Sequence, residues 1–523
     1  MKKSILSIVV FAAASICIKA QNTSDQSFKY LEYDVQKIQN LYKHNKATVK
    51  EVVEAYLKRI HDIDKNGVQL NSVITINPDA VKIADSLDHL DSKSKNKPLF
   101  GIPVLLKDNI DTHDKMPNTA GSLALKDSFP LQDSYLVKKL REAGAVIIGK
   151  TNLSEWANFR GEKSTSGWSG LGGLTKNPYI LNRNTCGSSA GSGAAISSNL
   201  GIIAIGTETN GSIICPSSIN GIVGLKPTVG LISRQGIIPI SNTQDTSGPM
   251  ARTVRDIAIS LGTMAGEDKK DIKTIGNAPY LHKDYTQFLT LNGLKGKRLG
   301  YVKGITKGAS KKVDELFRKT LKVLEAQGAV IIEIDNDIIS ENVQQKSFEL
   351  MINEFKDGLN DYFLSLGKNA PIKNIDELIT FNKNNKEELQ YFGQEFLELA
   401  AKSNGIKDKN YPQTLKSVQE GSQKKGIDFT MNKYKLDAII SPATTEAWKT
   451  DLKNGDSYSF GSADAAAIAG YPSITLPMGY IDELPVGILF SAGKWEEGKL
   501  INMAYTFEQV NPQRKVPGFL PGN

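Results

Sequence analysis

Apolar residues recur at two different spacings along this chain. Val49, Val52, Val53, Tyr56, Leu57 and Ile60 follow each other at intervals of three and four, the spacing of one buried helical face. Thr48, with Glu51 three positions later, supplies a capping box at its start. The patterns of Pro78 to Leu90, Tyr135 to Ala143 and Ala190 to about Ser198 predict three further helices. Between them stand short unbroken apolar runs, Ile102 to Leu106, Ala145 to Ile148 and Leu200 to Ile205. Runs of that length read as buried strands. Asp91 to Lys97 is a charged connector, predicted to be a solvated loop. Short strands alternating with helices point to an α/β architecture with a mixed sheet flanked by helices.

The stretch from 265 to 430 differs in character. It is rich in Lys, Asn and Glu, and Ser310 to Gln327 and Ile375 to Lys402 carry long helical patterns. Arg298 to Val302 and Val330 to Ile334 read as strands within it. At the other end of the chain, Lys2 and Lys3 precede a mainly apolar run from Ile5 to Ile18, and Ala20 offers a small residue before Gln21. That is the build of an export signal. Residues 1–20 are therefore expected to be removed, leaving a soluble exported protein, periplasmic or secreted, from residue 21. A lipoprotein anchor on Cys17 is disfavoured by the bulky Ile16 before it.

Composition adds little. Apolar residues make up 40% and charged residues 23%, as in soluble globular proteins. The net charge of +8 falls to +5 without the three lysines of the first twenty residues, too diffuse to argue for nucleic acid. The five histidines, His44, His61, His89, His113 and His282, are scattered without metal-ligand spacing. No metal or cofactor is expected.

Candidate chemistry gathers between Asn184 and Ser218. Asn184-Thr-Cys-Gly-Ser-Ser-Ala-Gly-Ser-Gly and Gly206-Thr-Glu-Thr-Asn-Gly-Ser-Ile-Ile-Cys-Pro bracket the apolar run at Leu200. Glycines let a backbone approach a ligand closely, and serines supply nucleophiles once a base removes the proton. Two simpler motif readings fail. Gly144 to Thr151 spells a phosphate loop, but its middle residues, Ala-Val-Ile-Ile, belong to a strand rather than an open turn. Gly187-Ser-Ser-Ala-Gly spells a nucleophile elbow on Ser189, yet His282 is the sole histidine after it and no acid–histidine pair stands near the C-terminus. A serine hydrolase without a histidine base needs another proton acceptor. A lysine neutralised by burial can serve, and Lys107 closes the apolar strand Ile102 to Leu106.

These motifs resemble the amidase signature family. Ser188 and Ser212 stand 24 positions apart, the family's spacing between its two loop serines. Phe100-Gly-Ile-Pro-Val-Leu-Leu-Lys-Asp-Asn resembles the family's lysine strand, and Gly149-Lys-Thr-Asn-Leu-Ser-Glu, Gly221-Ile-Val-Gly-Leu-Lys-Pro-Thr and Gly470-Tyr-Pro-Ser-Ile-Thr-Leu-Pro extend the likeness. The resemblance implies a single catalytic domain from 21 to 523 on the amidase signature fold, a large mixed sheet with 265–430 as a variable, mainly helical cover over the substrate cleft. It implies a Ser-Ser-Lys triad of Ser212 as nucleophile, Ser188 as proton relay and Lys107 as base. The backbone amides of Thr209, Asn210, Gly211 and Ser212 would form the oxyanion hole. The bond Gly187–Ser188 would be cis, and Ser189 either joins the network or caps the following helix. Asp245 and Arg252 would hold structure near the site.

Some positions depart from the family's wording. Cys186 and Ala190 stand where glycines are usual, and Asn210 where glycine or aspartate is usual. Cys186 and Cys215 each flank a proposed catalytic serine, and the sequence leaves a disulfide and two buried thiols equally open. Ile214 stands where many relatives, including tRNA-dependent amidotransferases, carry arginine. An isoleucine cannot grip a carboxylate, which argues against small anionic amides. The wording is most similar to bacterial peptide amidases. The expected substrate is therefore a small-molecule or peptide amide. The alternatives are the A-type component of a tRNA-dependent amidotransferase, working on charged tRNA, and a non-catalytic binding protein on the same fold. The sequence leaves the oligomeric state open.

Overall fold

The apolar runs assemble into one twisted sheet, seen in a computed structural model that describes residues 27–522. Residues 1–26, which include the expected export signal and Cys17, lie outside the described residues. The strands are β1 (Val73–Ile76), β2 (Pro103–Lys107), β3 (Val146–Thr151), β4 (Trp168–Ser169), β5 (Gly173–Leu174), β6 (Ile203–Glu208), β7 (Val223–Lys226), β8 (Thr246–Ala251), β9 (Arg298–Val302), β10 (Val330–Ile334), β11 (Ala438–Pro442), β12 (Ser473–Ile481) and β13 (Leu484–Ser491). Strands β4 and β5 form a separate small hairpin. The other eleven make a single mixed sheet in the order β1-β3-β2-β6-β8-β7-β12-β13-β11-β9-β10. Its central strands are buried on both faces, which is why β2, β6 and β13 read as near-continuous apolar or small-residue runs rather than alternating ones.

Most expected elements are present. The first helix runs Val49–Arg59 with the Thr48–Glu51 capping box formed in both directions. Helices cover Ala80–Asp88, Tyr135–Glu142, Ala190–Ser197 and Lys311–Ala326. Residues 91–97 lie on an exposed loop. Gly149, Lys150 and Thr151 belong to β3 and are buried, so the phosphate-loop spelling is strand interior and strand end.

The long pattern over 375–402 divides in two, Ile375–Asn384 and Glu395–Lys402. Asn385 breaks it, because its Oδ1 accepts from the amides of Glu387 (3.0 Å) and Glu388 (3.4 Å) and turns the chain. The turn sends Glu388 inward, where it is fully buried. The 265–430 stretch also does two jobs. Strands β9 and β10 complete one edge of the main sheet, pairing parallel with each other, while β9 pairs parallel with β11. The helices beyond them, led by the 25-residue Glu341–Ser365, build a second apolar core. There Phe355, Leu359 and Phe363 pack against Trp156, Phe159 and Ile240.

This second core is stitched to the sheet by buried charge. Arg160 Nη1 donates to Glu155 Oε1 at 2.5 Å and to Glu388 Oε2 at 3.2 Å, with all three side chains fully enclosed. Glu388 also accepts from Ser122 Oγ (3.0 Å) and the Leu123 amide (2.7 Å). Burial, with the neighbouring Glu388, pushes the Glu155 carboxyl well above the usual range against the pull of Arg160.

Candidate active site

Strands β2, β3 and β6 run parallel, with Leu106 beside Ile205 and Lys107 beside Thr151. Their C-terminal ends open on one edge of the sheet, the usual place for a ligand in such architectures. Lys107 is the last residue of β2 and is completely buried. Its Nζ lies 2.7 Å from Ser188 Oγ, 2.9 Å from Thr207 Oγ1 and 3.3 Å from the Thr207 carbonyl. Loss of hydration lowers its pKa from 10.5 to about 7, against the opposing pull of Asp245 and Glu208.

Ser188 follows a cis peptide bond, Gly187–Ser188. The loop is held from below, since the Ser154 amide donates to the Ser188 carbonyl at 3.0 Å. A Cβ on Gly187 would overlap Ser154 Oγ, so only glycine leaves room there. Ser189 settles the question the sequence left open. It precedes the Ala190–Ser197 helix without capping it. Its Oγ instead donates to the Thr207 carbonyl (3.2 Å) and accepts from the Thr207 amide (3.3 Å), while its own amide donates to the Ser212 carbonyl at 3.1 Å. The two serine loops are thereby locked together.

Beyond β6 the chain turns through Thr209, Asn210, Gly211 and Ser212 into the short helix Ile214–Ile219. Gly211 has φ +81°, a left-handed conformation that favours glycine. The four amides from Thr209 to Ser212 donate to no backbone carbonyl among the described residues. Ser212 is buried to 9% exposure, while Asn210 and Gly211 are half-buried. Thr209 Oγ1 donates to Asp245 Oδ1 at 2.5 Å, and Asp245 Oδ2 accepts the amides of Ile240 (2.8 Å) and Ser241 (2.9 Å). Burial raises the Asp245 carboxyl to about 6. Glu208, on the opposite face of β6, accepts the amides of Ile213 (2.7 Å) and Ile214 (3.0 Å) directly after Ser212.

Asn109, Thr207, Thr209 and Asp245 help line a cleft of about 460 Å³, beside Lys107, Ser188 and Ser212, which do not line it themselves. One wall is Ile237 to Ile240, and the other is the Glu341–Ser365 helix through Gly358 and Tyr362. Tyr362 OH donates to Asp111 Oδ1 at 2.8 Å, tying that wall to the segment that follows Lys107.

The sequence motifs placed Lys107, Gly187, Ser188, Ser189, Thr209, Asn210, Gly211, Ser212 and Asp245, and all gather at this edge. Two expectations need correction. Arg252 is not near the site. It follows Ala251, which pairs with Ile203 at the far end of β6, and it donates to the carbonyls of Ile196 (3.0 Å), Gly201 (2.8 Å) and Tyr33 (2.6 Å). Ile214 is fully buried among Ala443, Ala463 and Leu489, so its side chain packs the base of the loop instead of facing substrate. Thr207 was missed as a lysine partner. Its signal was strand parity, since alternate residues of β6 point to opposite faces and Thr207 falls on the side away from Glu208.

The two cysteines are joined, with Cys186 and Cys215 Sγ atoms 2.00 Å apart. Four of the histidines are exposed, and His282 packs edge-on to Tyr285 and Phe288. No helix among the described residues is long and apolar enough to cross a membrane.

Known proteins resemble this chain over most of its length. The Amidase family model matches residues 51–501. A probable amidase of Arabidopsis thaliana is 38% identical over 97% of this chain and 95% of its own. A putative amidase of Schizosaccharomyces pombe is 35% identical over 93% of this chain and 86% of its own. Glutamyl-tRNA(Gln) amidotransferase of Thermoanaerobacter pseudethanolicus, in its A component, is 33% identical over 93% of this chain and 98% of its own. The crystal structure of the native peptide amidase from Stenotrophomonas maltophilia superposes with a TM-score of 0.88 at 44% identity, covering 94% of this chain and 99% of that one. The chain belongs to the amidase signature family, whose members hydrolyse the C–N bond of amides.

Proposed function

We propose that the protein hydrolyses primary amides through an acyl-enzyme on Ser212, with Lys107 as base and Ser188 as relay. The observation that carries this reading is the enclosed lysine, its pKa brought down by burial to about 7, with Nζ 2.7 Å from Ser188 Oγ. Lys107 draws the Ser188 proton as Ser188 draws that of Ser212, and Ser212 Oγ attacks the carbonyl carbon. The backbone amides of Thr209 to Ser212 receive the oxyanion. The proton returns through Ser188 to the departing ammonia, and water then releases the acid.

The substrate we infer is a peptide carrying a C-terminal carboxamide. One wall of the cleft is the apolar run Ile237 to Ile240, suited to an uncharged acyl group, and the Stenotrophomonas peptide amidase is 44% identical to this chain. We also infer export after cleavage near Ala20, from the basic-apolar-small order of the first twenty residues. N-terminal sequencing of protein from the producing cells tests it, and an intact Met1 would refute export with cleavage.

Ammonia release from dipeptide amides, aryl amides, fatty amides and malonamate is the deciding measurement. The highest kcat/KM is expected on the dipeptide amides, by the purified chain without ATP. Activity that required ATP and partner proteins would instead support the amidotransferase reading, which the 33% identity to the Thermoanaerobacter protein motivates. Absence of turnover on every amide would leave the binding-protein alternative.

A further inference from the structure

We propose that the Cys186–Cys215 disulfide is a positioning element for the two serines, holding the relay loop in register with the nucleophile turn. This rests on the catalytic reading above.

Cys186 lies two residues before Ser188 and Cys215 three residues after Ser212, so each half of the bridge sits within three residues of one of the two serines. The bridge joins Cα atoms 5.9 Å apart and closes a 29-residue separation. That loop contains the Ala190–Ser197 helix, all of β6 and both serines. Cys215 shares the turn that carries Ser212, because its amide donates to the Gly211 carbonyl at 2.8 Å. On the other side, Cys186 is held at φ +54° while its amide donates to Asn184 Oδ1 at 2.6 Å. A displacement of either sulfur is therefore passed directly to a serine-bearing turn.

The other links between the loops are hydrogen bonds, from the Ser189 amide to the Ser212 carbonyl (3.1 Å), between Ser189 Oγ and the Thr207 backbone (3.2 and 3.3 Å), through Lys107 Nζ from Ser188 to Thr207, and from Asn220 Nδ2 to the Thr185 carbonyl (3.0 Å). Bonds of that kind stretch by tenths of an ångström at little cost, whereas a covalent bridge does not. Proton relay between two hydroxyls and an amine is sensitive to such shifts. The bridge is also walled off from the cleft. Both cysteines pack with Tyr179, Ile219, Trp448 and Leu484 in a separate apolar cluster. Neither cysteine lines the cleft, so loss of the bridge should leave binding intact while slowing the chemical step.

The test uses the full chain and the C186A/C215A and C186S/C215S variants. Peptide mapping of the denatured, alkylated parent, with and without prior reduction, first checks the bridge; free thiols at both positions in the parent would overturn the proposal. Steady-state kinetics on a dipeptide amide, at a temperature where circular dichroism shows both variants folded, then separates the effects. We expect kcat to fall at least tenfold with KM within twofold. Labelling of Ser212 by a fluorophosphonate, read by mass spectrometry, should slow by a similar factor and needs no amide turnover. Variants that label and turn over within twofold of the parent, whatever their melting temperature, would overturn the proposal, as would a rise in KM at constant kcat. If the variants do not fold, the labelling rate of the native parent after reduction under mild denaturant and refolding without oxidant decides by the same criterion. A parent that labels at Ser212 but hydrolyses no amide would refute the amide-hydrolase reading without touching the role of the bridge.

Discussion

Lys107 Nζ stands 2.7 Å from Ser188 Oγ on a side chain with no exposed surface, and burial brings the lysine down to about 7. Only its neutral form can accept a proton. kcat/KM on a neutral amide should thus rise about tenfold per pH unit below 7 and level off above it. Lys107→Ala should lose about 10²- to 10⁴-fold in kcat together with that dependence. An unchanged pH profile in a folded Lys107→Ala protein would remove the lysine from the mechanism. Stability carries the same signature. The folded state holds this proton less tightly than the unfolded chain, so unfolding takes one up between about 7 and the ordinary value of 10.5. Stability from this group therefore grows with pH across that window. Chemical denaturation of parent and Lys107→Met at several pH values reads the difference.

Ser212→Ala should abolish ammonia release while leaving the fold unchanged, since one small polar atom is lost from a turn held by Glu208 and by the Ser189 amide. Turnover in the folded variant above about a hundredth of the parent rate would move the nucleophile elsewhere.

Asp245 anchors Thr209 and lends negative charge to the surroundings of Lys107. Asp245→Asn removes the charge that favours protonated lysine, so the rising limb of the pH profile should move to lower pH. Looser anchoring of Thr209 should also lower kcat on the order of tenfold. A limb that stays in place would show that Asp245 does not act on Lys107 through its charge.

Arg160→Met leaves Glu155 and Glu388 buried without their cation. That should cost about 3–5 kcal/mol of unfolding free energy. Glu388→Gln, which keeps an oxygen acceptor for Ser122 and Leu123, should cost less. Urea midpoints for the two variants give the comparison, and equal midpoints would refute the charge assignment.

Much of this was legible in the residues. Helical and strand spacing is a local property, so Val49–Arg59, β2, β6, β9 and β10 could be read directly. The catalytic candidates were legible because small residues and glycines at fixed intervals are demanded by close backbone approach. What stayed hidden depended on long-range partners. Glu388 looks like one more charge in a solvated helix until Asn385 turns it onto Arg160, 228 positions away. Arg252 looks like a neighbour of Asp245 until the strand between them carries it to the opposite end of the sheet. Ile214 looks like a substitution for a substrate-gripping arginine until the helix after Ser212 turns its side chain into the core.

The charge cluster around Arg160 also bears on how such proteins can be recombined. Its members come from positions 155, 160 and 388, two in the sheet-side loop and one among the covering helices. A chimera that exchanges the covering segment alone would keep the Arg160–Glu155 pair but remove the Glu388 carboxylate and the Glu388 and Phe392 carbonyls to which the guanidinium also donates, leaving buried donors unpaired whenever the donor protein lacks acceptors at the matching turn. The unit that can be swapped between relatives is therefore discontinuous along the chain, and breakpoints should be chosen by where charges are neutralised rather than by where helices end.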